Sequence, residues 1–129
     1  MQKTTKYLFL ANTLLTLPFG IIALAIPAGI FAGFGVELDR QGQLIARGYA
    51  ATLVGYGLVF WFFRNATLPE ITRPLLLAAL AFNAIEAIVQ GMAAMAGTAQ
   101  PMTWSSVILH SILTIGCVIA LQSTKVTNG

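Results

Sequence analysis

Four long apolar runs, separated by three short polar gaps, organise this 129-residue chain. They predict helices over about 7–34, 47–63, 74–96 and 103–122. At a rise of about 1.5 Å per residue, the first run has residues to spare across roughly 30 Å of hydrocarbon. Pro18 and Pro27 predict kinks in it, because each removes a backbone donor. Asn12, Thr16, Gly20, Ala23 and Pro27 share one face of that run, a small and polar stripe suited to close helix packing. The second run carries another small pair, Ala51 and Gly55, and ends on Trp61 at interfacial depth. The third is expected to start at Pro74, a favourable first helical residue, with Thr72 just before it. The fourth opens near Trp104 and lines up Thr103, Ser106, His110, Thr114 and Cys117 at helical spacing.

The polar gaps, over 35–46, 64–73 and 97–102, are too short to hold a further domain. Sequential helices joined this way pack antiparallel. The expected fold is therefore all-α, an integral membrane antiparallel four-helix bundle forming a single transmembrane domain over 1–129. Composition agrees: 57% of residues are hydrophobic and 9% charged, against roughly 25% charged in soluble domains. The start, with Lys3 and Lys6 before an apolar run, resembles a signal peptide with Ala23-Leu24-Ala25 as its cleavage site. The run continues to Phe34, longer than a usual signal core, so its retention as a span is expected.

Charge adds topology. Lys3, Lys6, Arg64, Arg73 and Lys125 fall on one side and Arg40 and Arg47 on the other, which places both termini in the cytoplasm by the positive-inside rule. Arg47 and Arg64 flank the second run and are expected to reach toward lipid phosphates. The net charge of +3 is spread over helix ends without a basic, aromatic-lined patch, which argues against nucleic acid as a partner. The single cysteine, Cys117, excludes an intrachain disulfide.

The chemistry centres on Glu86, the one acidic residue inside any apolar run and about halfway along its own. Ala79, Asn83, Glu86, Gln90, Ala93 and Gly97 share its helical face. A carboxylate anion at that depth is strongly disfavoured unless a cation or several donors meet it, so this polar seam is expected to face protein or water. Asn83 and Gln90 are candidate donors, His110 is the one other ionisable group near that depth, and Asn12 is the polar residue of the first run. Glu86, Asn83, Gln90, His110 and Asn12 thus form the candidate ligand or proton site. The competing reading is an interhelical hydrogen bond that only fixes packing. One histidine and no CxxC pair leave no intrachain bis-His or zinc site, and only a dimer could pair two His110 residues. No nucleophile–base set stands out, and no cofactor is specified.

Asn83-Ala84-Ile85-Glu86 resembles the Asn-x-x-Glu of the four-helix membrane glutathione transferase family, although that signature sits on a second helix with arginines upstream. Size and topology resemble small multidrug-resistance transporters, whose first-helix glutamate is replaced here by Asn12. The fullest likeness is to uncharacterised four-helix bacterial inner-membrane proteins. It rests on Asn12, Phe19-Gly20, Pro27, the 35–39 and 44–48 stretches, Trp61 with Arg64, Asn83 and Trp104-Ser105. That resemblance implies a fold and a bacterial inner (plasma) membrane location, not an activity. The expected function is an accessory subunit or a binder of a lipophilic molecule through the polar seam, with the lipid bilayer and a homo-oligomer or larger membrane complex as partners. The alternative is a small oligomeric proton-coupled transporter or channel using Glu86.

Overall fold

A computed structural model describes residues 2–97 and 100–125 and is helical almost throughout, with no strand among the described residues. In chain order the helices are α1 (Gln2–Ala25), α2 (Pro27–Ala32), α3 (Arg40–Phe63), α4 (Pro69–Met95) and α5 (Pro101–Lys125). The four long ones are each apolar and long enough to cross a membrane. Residues 98 and 99 of the expected last turn lie outside the described residues.

The boundaries correct the sequence reading in three places. The first run is two helices, not one: Ile26 leaves the helical region (φ −131°, ψ 63°), and Pro27 opens α2. Pro18, by contrast, sits inside an uninterrupted α1. Helix α3 starts at Arg40, well before 47, because the Asp39 carboxylate accepts the Gly42 N–H at 2.7 Å and caps the helix start. Helix α4 starts at Pro69, not Pro74. Pro69 takes the first-turn position and Glu70 meets the positive end of the helix, leaving Pro74 inside at the loss of one backbone hydrogen bond. Arg47 also departs from expectation, since its Nε donates to the Leu24 carbonyl at 3.1 Å. That carbonyl lies in the last turn of α1, where the break at Ile26 interrupts the helical pairing.

Packing runs in two pairs, α1 on α3 and α4 on α5, with α1 also touching α5 and α4. The α1–α3 seam is antiparallel: Thr13 lies 3.2 Å from the Gly57 carbonyl, while Gly20, further along α1, meets Ala50 and Val54. A Cβ at Gly57 would stand 2.8 Å from Thr16 Oγ1 and 2.9 Å from Leu17 Cβ, so only glycine permits this approach. Toward the end that carries α1's start, Phe9, Phe60, Leu76, Leu113 and Cys117 form an apolar core, with Phe9 and Phe60 edge to face at 5.1 Å. At the other end α2 folds back on α1 and α3, and Phe31 and Phe34 pack edge-on against Phe19.

The distribution of polarity is inverted relative to a water-soluble bundle. Asn12, Thr13, Thr16, Thr72, Asn83, Thr103 and His110 are buried. Leu14, Ile21, Phe62, Ile85, Ile88, Ile112 and Ile115 are exposed. An apolar exterior on this scale, on four helices long enough to span one, suits a membrane. Helix association inside one relies on close packing and interhelical hydrogen bonds more than on hydrophobic burial.

The glycine seam gives a direct expectation. Gly57→Ala should destabilise the fold by about 1–3 kcal/mol through overpacking, whereas Gly55→Ala, with nothing within 4 Å of the added Cβ, should be neutral or slightly stabilising. Reversible unfolding in mixed detergent micelles measures both.

Candidate functional site

The polar residues that the helical register singles out are divided by the structure into two groups. The first is a buried chain of hydrogen bonds crossing four helices. Asn12 on α1 is wholly buried and anchors its amide by donating Nδ2 to the Leu8 carbonyl at 2.9 Å. Its Oδ1 then accepts from Tyr56 Oη on α3 at 3.0 Å and from Asn83 Nδ2 on α4 at 2.8 Å. Asn83, also wholly buried, donates its second Nδ2 hydrogen to the Ala79 carbonyl at 2.8 Å.

These partners fix both amides. Leu8 O and Ala79 O can only accept, so the Nδ2 atoms are where they must be, and Asn83 turns its Oδ1 toward α5. There it stands 2.8 Å from His110 Nδ1. Because Oδ1 cannot donate, Nδ1 carries the proton, and in the neutral ring Nε2 holds the lone pair. Nε2 has no hydrogen-bond partner among the described residues. The chain thus presents an oriented acceptor.

The second group lies between α3 and α4. Tyr49 Oη donates to Glu86 Oε1 at 2.9 Å, and Gln90 Nε2 reaches Glu86 Oε2 at 3.4 Å. Glu86 and Gln90 are only half-buried. No hydrogen bond joins this group to the Asn12–Asn83–His110 chain among the described residues. Helices α3 and α4 approach each other mainly through side chains: Tyr56 stacks on Phe82 at 4.4 Å, and Phe82 meets the His110 ring at 5.8 Å.

Above the buried chain, toward α2, opens a cavity of about 250 Å³. Leu15, Phe19, Phe34, Leu53, Phe82, Met102 and Leu109 supply its apolar walls, and Thr16, Tyr49, Ser105, Ser106 and His110 its polar atoms. Two of those hydroxyls are already directed to backbone, Thr16 to Asn12 O at 2.7 Å and Ser105 to Pro101 O at 3.1 Å. Tyr49 is shared: it lines the cavity while its hydroxyl holds Glu86. Met102 closes down on α2, its sulfur 2.7 Å from where a Cβ on Gly33 would stand.

Asn12, Asn83 and His110 are therefore brought together, and Glu86 with Gln90 forms a neighbouring pair. Tyr56 and Tyr49, one in each group, were not singled out from the sequence, although they stand seven residues apart on one face of α3. Thr103 is an exception to the satisfied interior, with a buried Oγ1 that has no partner. Comparison with protein-family models, curated proteins and solved structures finds no match to this chain, so its chemistry is read from its own residues.

Asn12 and Asn83 share one hydrogen bond and a common network, so their truncations should not add. In a double-mutant cycle of Asn12→Ala and Asn83→Ala, the coupling energy should fall near 0.6–1.7 kcal/mol, roughly the range for polar contacts between membrane helices. Additive losses would mean the two amides act independently.

Proposed function

We propose that this chain is a small integral membrane protein that binds a lipophilic molecule between its helices, in the cavity above His110. The observation that carries the reading is that cavity: about 250 Å³ of mostly apolar wall ending on one oriented imidazole. A space of that size, at the lower end of ligand sites, holds a small molecule or one end of a longer one. The tautomer sets the ligand chemistry. Nε2 accepts, so the bound end is a donor such as a hydroxyl, phenol or amide N–H, with its apolar remainder against Phe19, Leu53 and Leu109.

Five of the seven basic residues belong to the side bearing the termini, which supports a multi-pass arrangement with both termini cytoplasmic. The reading is of a binder, acting alone or as an accessory subunit, and the buried hydrogen-bond chain serves to hold the imidazole in one orientation.

Native mass spectrometry of protein released from mild detergent tests this. The wild-type chain should carry an additional small-molecule mass, and Ser106→Phe, which fills the cavity from α5, should lose it. An empty wild-type protein, or the same mass retained by the filled variant, would contradict the reading.

A further inference from the structure

At the opposite end of the molecule from the cavity, a second hollow of about 220 Å³ is lined by Lys3, Lys6, Arg64, Asn65, Ala66 and Thr67. Two elements build it. Lys3 and Lys6 stand one turn apart on the first turns of α1, and the other four residues form the connection between α3 and α4. No lining residue is acidic.

Arg64 is held in place there. Its guanidinium lies over the Trp61 ring at 3.9 Å, and Nη1 donates to the Trp61 carbonyl. A guanidinium has five N–H donors, so most of its hydrogen-bonding capacity remains. Stacking and that one bond reduce the freedom the side chain would lose on gripping a ligand. Asn65 and Thr67 add neutral hydrogen-bonding groups. Three cations and two amide or hydroxyl side chains around one hollow match a compact, multiply charged oxyanion.

We infer that this hollow is a phosphate-binding site, taking the phosphate of an anionic lipid headgroup or a free phosphate of the same chemistry. Lys3 and Lys6 supply charge, and Arg64, fixed on Trp61, supplies the directed donors. The inference stands independently of the ligand proposed for the cavity.

Trp61 provides the readout, because an anion drawing on Arg64 changes the cation above its ring. With Trp104 replaced by Phe, the full chain in neutral detergent is titrated at constant ionic strength with phosphatidic acid, inorganic phosphate and phosphatidylcholine. Native mass spectrometry counts bound lipid in parallel. Phosphatidic acid should give a saturable fluorescence change and a discrete adduct. Its affinity should fall about tenfold or more in Lys3→Gln/Lys6→Gln, as expected for two basic residues near an anionic group. The charge-matched pair Arg40→Gln/Arg73→Gln, outside the hollow, should keep it. Saturation by inorganic phosphate with the same lysine dependence would identify a free phosphate as the source, and saturation by phosphatidic acid alone a lipid headgroup. Equal weakening by the charge-matched pair, an equal response to phosphatidylcholine, or neither signal with any phosphate would overturn the site.

Discussion

The interior is ordered by one hydrogen-bonded sequence, Tyr56 to Asn12 to Asn83 to His110, which joins all four long helices. Each buried polar atom left without a partner would cost about 1–3 kcal/mol. The amides therefore hold the helices at a defined rotation and depth. Slipping α4 by one residue along its axis would withdraw Asn83 from Asn12 and His110 together. In a fold whose exterior is greasy and whose core is modest, this polar constraint does much of the specifying that apolar packing does in soluble bundles.

The two ends of the molecule differ because of where that chain sits. Below it, Phe9, Phe60, Leu76 and Cys117 fill the space between helices. Above it, the cavity opens between α1, α3, α4 and α5, with Phe34, just past α2, among its walls. At the break between α1 and α2, Arg47 of α3 donates to the Leu24 carbonyl. Through Nδ1, the hydrogen-bond chain holds the His110 ring that lines this cavity.

Much of the architecture is legible from the apolar runs, since a run of spanning length with at most one charge inside it has few alternatives. The boundaries are less so. Arg40 to Ala46 reads as a polar gap, yet the Asp39 cap makes it the first turns of α3. Either Pro69 or Pro74 could open α4, and register alone does not choose. At the site, helical spacing finds Asn83, Glu86 and Gln90 on one face and places His110 on an inward stripe. It does not say which polar partner from another helix each will meet. That depends on the rotation of α1 and α3, which bring Asn12 to Asn83 and Tyr49 to Glu86. Tyrosines in apolar helices read as ordinary aromatic packing, so Tyr49 and Tyr56 gave little signal beyond their common face.

The central claim is that Asn83 fixes His110, whose side chain lines the cavity, as the Nδ1–H tautomer with Nε2 as the bare acceptor. His110 is the single histidine of the chain, so selective labelling reports it alone. Solid-state ¹⁵N NMR of histidine-labelled protein in lipid bilayers should show a neutral imidazole with Nδ1 protonated and Nε2 bare, and Asn83→Ala should abolish that preference. A protonated Nε2 in the wild-type chain, or a tautomer indifferent to Asn83, would contradict the account.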